Sequence, residues 1–380
     1  MKAPTNRTQK GDPKSDRKIR YAVIGLGNIS QVAVLPAFAH AKENSELVAL
    51  ISSDEEKLRV LGKRYDVELT GSYDDVPSLL ARGIIDAAYI ALPNSQHRKM
   101  TEIVSAHGVH VLCEKPMAMT VGDCEAMIRV TEEHGVRLMI AYRLHFEKAN
   151  MTAVDRILQS MIGEPLFFSS VFGHLVRPGD IRTRDDLGGG ALFDMGVYCV
   201  NAARYLFGAE PEEVFATQIM SADERFPDVD ATTTAVLRFP GQRVAQFTAS
   251  QASADVAELR VVGSKGDVRL DPAYEYAGPR KEYLTVEGDT KQTTYPKSDQ
   301  FAPELVHFSR CILEDVEPEP SGEEGLADVR VLEAILHSAR SGKVVKLPPF
   351  TRRQRPSLDQ AMQKPPIPKI RTVNAPSPSK

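Results

Sequence analysis

The stretch Arg20-Tyr21-Ala22-Val23-Ile24-Gly25-Leu26-Gly27-Asn28-Ile29-Ser30 decides the fold. An apolar run ends in two glycines one residue apart, and Val32, Val34, Leu35, Phe38 and Ala39 continue at helical spacing. A strand that turns at once into a helix leaves the first N–H groups of that helix unpaired, a ready seat for a diphosphate. Gly25 permits the tight turn, and Gly27 leaves room for phosphates to approach the backbone. Asn28 and Ile29 complete the expected cradle. The third glycine of the usual pattern is here Ser30, a small polar residue.

Outward from this turn, apolar strands alternate with amphipathic helices as far as Ala141. The strands are expected at Ile19–Ile24, Leu47–Ile51, Ile85–Ala91, Val109–Glu114 and Arg137–Ala141. Helices fit between them at Gln31–Ala41, Asp54–Tyr65, Gln96–His107 and Val121–His134, with Asp54 and Thr120 as caps. Repeated βα units predict an α/β fold with a doubly wound parallel sheet, which gives the glycine turn the context that dinucleotide binding requires. After Met151 the runs become short and β-rich: Leu166–Phe172, Val214–Met220, Thr232–Phe239, Val244–Ala249, Leu259–Val262 and Asp267–Leu270. They predict a second α/β domain with an open, mainly antiparallel sheet, helices at Met151–Met161 and Phe193–Phe207 on one face, and further helices at Glu304–Leu313 and Gly325–Ser341.

The chain thus divides into an arm at 1–18, a Rossmann domain at 19–141, a substrate and oligomerisation domain at 142–347, and a Pro-rich tail at 348–380. The tail has little to bury, so it is expected to be either disordered or an extended arm on another subunit. With 380 residues, two domains are natural, and a net charge of -4 gives no basic footprint for nucleic acid. The first residues hold no apolar core, so neither a secretory signal nor a membrane span is expected. Cys113, Cys124, Cys199 and Cys311 lie far apart and read as buried thiols of a reducing, cytoplasmic compartment. The histidines form no ligand cluster, and no metal site is expected.

An NAD site places an acidic residue at the end of the second strand. This strand ends instead in Ser52-Ser53, able to donate to a 2'-phosphate, with Lys57 one turn into the next helix; Asp54 comes two residues late. NADP is the expected cofactor and NAD the alternative. Further candidates sit at later strand ends, where ligands bind in such sheets. Leu92, Pro93 and Asn94 would wall the cofactor, and His97 is either a ligand contact or a helix-start polar group. Glu114-Lys115-Pro116 follows the next strand, and a lysine fixed there by proline is suited to stabilise charge on a substrate oxygen as hydride moves. Glu114 would hold that lysine or a cofactor ribose. Tyr142 and Arg143 end the strand after it. Asp194 and Tyr198, four apart, share a helix face.

These motifs together resemble the glucose–fructose oxidoreductase / inositol dehydrogenase (Gfo/Idh/MocA) family. The resemblance rests on GLGNIS, ALPNSQH, the EKP signature at 114–116, AYRLHF, GGGALFDMGVYCVNAARYLFG at 188–208 and QFAPELVHFSRCI at 300–312. It covers Ile19 to about Leu347 and is closest to the glucose–fructose oxidoreductase branch. It implies that Ser52 and Lys57 bind the NADP phosphate, that Arg143 belongs to the cofactor and substrate site, and that the open sheet pairs subunits into a dimer or tetramer. Family members of the inositol dehydrogenase type carry a histidine acid/base where this chain has Tyr198, so the proton must pass through Tyr142 or Tyr198. A phenol titrates near 10, and an ammonium such as Lys115 beside it would favour the phenolate. Tyr142 is the preferred acid/base, with Asp194 binding a sugar hydroxyl and orienting the tyrosine or lysine. Arg182, Arg184 and His307 are secondary candidates for sugar hydroxyls, and Gly188-Gly189-Gly190 reads as a flexible turn. The implied activity is NADP(H)-dependent hydride transfer to or from a sugar or polyol, an aldose giving a lactone. The competing expectations are another substrate on the same fold, biliverdin-like or dihydrodiol, and a non-catalytic nucleotide sensor.

Overall fold

The computed structural model describes residues 17–220, 225–226, 228–352 and 354–379; residues 1–16 of the expected arm lie outside them. Six parallel strands form the first sheet: β1 (Ile19–Ile24), β2 (Ser45–Ile51), β3 (Leu69–Gly71), β4 (Ala87–Ile90), β5 (His110–Cys113) and β6 (Leu138–Ile140). Their order is β3-β2-β1-β4-β5-β6, so the direction of winding reverses between β1 and β4. A crevice opens at the carboxyl ends of those two strands, where an α/β sheet binds its ligands. β1 is buried almost throughout, as expected of a strand covered on both faces. The caps form as expected: Asp54 accepts from the Lys57 N–H, and Thr120 from the Asp123 N–H.

The second sheet has nine strands in the order β14-β13-β12-β11-β7-β10-β9-β8-β15. These are β7 (Pro165–Leu175), β8 (Glu213–Ile219), β9 (Thr232–Phe239), β10 (Arg243–Ser250), β11 (Ala252–Gly263), β12 (Gly266–Asp271), β13 (Arg280–Val286), β14 (Asp289–Tyr295) and β15 (Val345–Lys346). β7 and β10 run parallel and the other pairs antiparallel. Helices Lys148–Leu158, Val197–Phe207 and Gly322–Ser341 cover one face. The strands alternate accordingly, with Phe168, Phe172, Leu237 and Phe247 buried beneath the helices.

Two helices join the domains. Ala302–Glu314 folds back on the first sheet, where the Tyr21 hydroxyl lies 2.8 Å from that of Ser309. Gly322–Ser341 starts against β6 and Met117, which a side chain at Gly325 would strike, and ends along β8. Beneath it the fully buried Arg204 pairs with Glu210, Glu324 and Asp328. The segment after Pro348 departs from both expectations for it. It lies extended along its own chain, Arg352 pairing with Glu324, Arg355 with Glu210 and Lys364 with Glu43. Charged side chains anchor it together with Leu358, Met362, Ile367 and Val373, which pack against the two cores. No helix among the described residues is long and apolar enough to cross a membrane.

Candidate active site

A cavity of about 390 Å³ runs from the glycine turn to the β7 side of the second domain. Its inner end is built by the turn after β1. Gly25 has φ +96°, and a side chain there would meet the Ala91 carbonyl oxygen at 2.4 Å. Only glycine fits that crossing of backbones. At Gly27 the opposite holds: a Cβ would meet nothing within 4 Å, so open space fronts the helix start. The Ser30 hydroxyl donates to the Gly25 carbonyl at 2.6 Å, which explains a small polar residue in place of glycine. A glycine turn with open ground before a helix N-terminus fits a dinucleotide diphosphate.

The turns after β4 and β5 supply the walls. Leu92, Pro93 and Asn94 line the cavity, and the Asn94 amide donates to the Gly188 carbonyl at 2.7 Å. Gly188-Gly189-Gly190 is therefore a packed turn, where a side chain on Gly189 would strike the Arg182 carbonyl at 2.4 Å. Glu114 accepts from the Tyr89 hydroxyl at 2.9 Å and from the Lys115 N–H at 3.2 Å, and burial raises its pKa. The Lys115 ammonium donates to the Asp194 carbonyl oxygen at 2.9 Å, lies 3.6 Å from Asp194 Oδ1, and stands 4.4 Å above the Tyr198 ring. Arg182 Nε donates to the other Asp194 oxygen at 2.8 Å. Burial pushes the Asp194 carboxyl up, but Arg182, Lys115 and His174 outweigh it and hold the group well below the usual carboxylate range. It stays ionised.

Tyr198 follows Asp194 on the helical segment that begins as a π-turn at Leu192–Gly196. Its ring packs against Phe172 and Tyr274, and its hydroxyl accepts from Arg143 Nη2 at 3.2 Å. Arg143 is held by the Gln300 side chain and the Tyr274 carbonyl as well. Lys115, Arg143, Asp194 and Tyr198 thus meet in one cavity, joined by Glu114, Asn28 and Ile29.

Six expected side chains fall outside the cavity lining. Tyr142 is 2% exposed and outside the cavity; its ring stacks on His145, and burial together with Asp328 pushes its phenol far up. The preferred acid/base is thereby corrected: a hydroxyl sealed in the interior reaches no substrate. His97 is fully buried, its ring nitrogens 3.0 Å from the Pro116 carbonyl and 2.9 Å from that of Leu92, so it braces two walls and has no nitrogen for a ligand. Arg184 pairs with Asp186 on the surface, and His307 sits beside Cys311 in a separate groove. Ser52 and Lys57 lie beyond the cavity lining. Ser52 is 3% exposed and its hydroxyl accepts from the Asp54 N–H at 3.2 Å, while Lys57 is half-buried one turn on.

Sequence reasoning missed His174, whose Nε2 is buried without a partner beside Asp194, and Pro378 and Ser379, which also line the cavity. Nothing in their local sequence marks them, because only the fold brings β7 and the chain's last described residues to the glycine turn.

Comparisons with known proteins follow this geometry. A family profile described as "Oxidoreductase family, NAD-binding Rossmann fold" matches residues 19–142, and "GFO/IDH/MocA C-terminal domain" matches 151–269. The D-xylose 1-dehydrogenase (NADP(+)) of Haloarcula marismortui is 35% identical over 344 residues, 88% of this chain and 94% of its own. The crystal structure of an aldose-aldose oxidoreductase from Caulobacter crescentus complexed with glycerol superposes with a TM-score of 0.83 at 37% identity, covering 87% of this chain and all of that one. A 3-ketoreductase from Actinomadura kijaniata, solved with NADP and TDP-benzene, gives 0.78 at 28% identity over 84% of this chain and 98% of its own.

Proposed function

The chain belongs to the Gfo/Idh/MocA family of oxidoreductases, and from that premise we propose that it moves a hydride between NADP(H) and a carbinol carbon of an aldose or related polyol. The observation that carries this reading is the convergence of Lys115, Asp194, Tyr198 and Arg143 in the cavity that begins at the glycine turn. Gly25, Gly27, Asn28 and Ile29 would hold the diphosphate, and Leu92, Pro93 and Asn94 the wall beside it. Ser52, just past the end of β2, and Lys57, in the first turn of the next helix, would meet a 2'-phosphate. When bound, the nicotinamide accepts or gives the hydride. The protein's own groups manage the proton and the charge.

Lys115 has N–H groups left over after its bond to the Asp194 carbonyl, and these donate to the substrate oxygen, stabilising negative charge as it develops. Tyr198 accepts from Arg143 and so keeps its own O–H for the substrate. In reduction that O–H gives its proton to the substrate oxygen, and in oxidation the phenolate so formed takes the hydroxyl proton back. The ionised Asp194 fixes Lys115 and Arg182 and accepts from a sugar hydroxyl. A sensor would need the dinucleotide seat but not this proton-handling group.

The open face of the second sheet carries the oligomer proposal. Phe167, Val171, Phe215, Val236 and Val244 are each 38–46% exposed on the side that the helices leave bare, a surface suited to a second copy of this chain. The four free, buried cysteines accord with a cytoplasmic setting.

An aldose panel with NADP, followed by nicotinamide absorbance, tests the function. At least one aldose should give sustained turnover. Lys115→Ala should keep the cofactor and lose roughly 10²–10³ in kcat. Sugar oxidation by that variant at the parent rate would sink the catalytic assignment, and a silent panel would favour the sensor.

A further inference from the structure

The segment from Arg371 to Ser379 runs past the glycine turn and ends in the cavity wall at Pro378 and Ser379, and nothing in the motifs accounts for it. Its anchors come from both domains. Arg64 donates to the Arg371 carbonyl at 3.0 Å. Gln31 and Val373 bond reciprocally, the Gln31 amide donating to the Val373 carbonyl at 2.9 Å and the Val373 N–H to Gln31 Oε1 at 2.7 Å. Asn374 turns the chain with φ +46° and donates from its side chain to Asp54 at 3.1 Å. Asn28, in the glycine turn itself, donates to the carbonyl of the buried Ala375 at 3.1 Å. Beyond Pro376, the Arg177 N–H of the second domain donates to the Pro378 carbonyl at 2.8 Å, and Ser379 bridges Val176 in antiparallel register.

We propose that residues 371–379 are a strap that closes the dinucleotide seat from outside and holds the cofactor in the protein between turnovers. The proposal rests on the reading that the cavity takes NADP(H). The strap touches the three landmarks such a molecule would pass: the helix start at Gln31, the glycine turn at Asn28 and the end of β2 at Asp54. It covers that ground without filling it, since the space in front of Gly27 stays open while Pro378 and Ser379 form part of the cavity wall. Its proline-rich stretch resists collapse into the groove and offers few N–H groups of its own. Differences in affinity between related complexes reside mostly in the rate of leaving, so a cover of this kind acts on release.

The test loads the full chain with NADPH and follows its release, by the fluorescence of the bound nicotinamide, after a chase with excess NADP. Two variants accompany it: a chain ending at Ile370, and Asn374→Ala, which removes the exposed side chain's bond to Asp54 and disfavours the φ +46° turn. Truncation should speed release about tenfold or more, and Asn374→Ala about two- to fivefold. Release at the parent rate from the truncated chain overturns the strap, and so does tighter NADPH binding by it, which would mean that the segment blocks the groove. Where the truncated chain fails to fold, Asn374→Ala decides by the same criterion. A full chain that takes up no NADPH overturns the dinucleotide reading, and the strap falls with it.

Discussion

Tyr198→Phe and Tyr142→Phe, made side by side, separate the two tyrosines that stand next to the same motifs. The first removes one oxygen and leaves the ring, so the contacts with Phe172 and Tyr274 and the Lys115 ammonium above the ring persist. Arg143 loses a 3.2 Å bond but keeps Gln300 and the Tyr274 carbonyl, and its position should hold. The ground-state cost is then that of one hydrogen bond, about 1 kcal/mol, or a fewfold change in KM. Loss of a proton-transfer group in the transition state is larger, 10²–10⁴ in rate, or about 3–5 kcal/mol. Steady-state kinetics with NADP and the best aldose should therefore show kcat falling at least about 100-fold with KM nearly unmoved. Tyr142→Phe removes a hydroxyl sealed away from the cavity and should keep kcat within about threefold, its effect appearing in stability alone. The reverse pattern, a Tyr198 variant near parent kcat and a crippled Tyr142 variant, would refute the assignment.

Lys57→Ala should raise KM for NADP about tenfold while leaving KM for NAD unchanged, because the lost charge meets only the 2'-phosphate; equal shifts for both cofactors would remove Lys57 from the site. Gly25→Ala combines φ +96° with a Cβ 2.4 Å from the Ala91 carbonyl, and should cost about 3 kcal/mol or more in urea unfolding; a variant of parent stability would show that the crossing is looser than drawn. His307 supplies a pH dependence. Burial and the Arg310 guanidinium push its folded pKa down to about 4, against about 6.5 unfolded. The unfolded chain therefore binds the proton first, so the stability that a neutral His307 lends is full above about pH 6.5 and is lost as pH falls toward 4. Between pH 7 and pH 4.5 the loss should be about 2 kcal/mol, and His307→Gln should abolish that share, read as unfolding free energy at the two pH values. An unchanged acid slope would place the titration elsewhere.

The first domain was legible because its strands are buried on both faces and read as plain apolar runs. Ile19–Ile24 is both the expected and the observed β1. The short β3 and the five-residue helix Val76–Leu80 escaped notice, as neither is long enough to show a period. In the second domain β13 and β14 were missed for a different reason. β14, Asp289–Tyr295, is an exposed edge strand of polar residues, so its alternation carries no apolar face. Yet Glu287 and Gly288, at φ 52° and 94°, form a tight hairpin turn between the two strands, a signal that was present in the sequence. Tyr142 shows the limit most clearly. Strand β6 ends at Ile140, and the turn at Arg143–Phe146 sends adjacent side chains to opposite sides, Arg143 into the cavity and Tyr142 into the core. Neighbouring positions in a motif do not reveal which of them faces the ligand.

The site groups that follow β4, β5 and β6 are each fixed from the second domain. Lys115 rests on the Asp194 carbonyl, Asn94 on that of Gly188, and Arg143 on Gln300 and the Tyr274 carbonyl. A Rossmann half alone would carry the dinucleotide seat, but its lysine would swing free over a groove open to water, where an ammonium stabilises little charge. The backbone carbonyls do more than hold position: they take one N–H each from Lys115 and Asn94 and leave the others aimed at the cavity. The chemistry therefore belongs to the contact between the domains. Substitutions at the Arg182–Asp194 pair, which braces from the second domain the residue on which Lys115 rests, should lower kcat before they lower affinity for the cofactor.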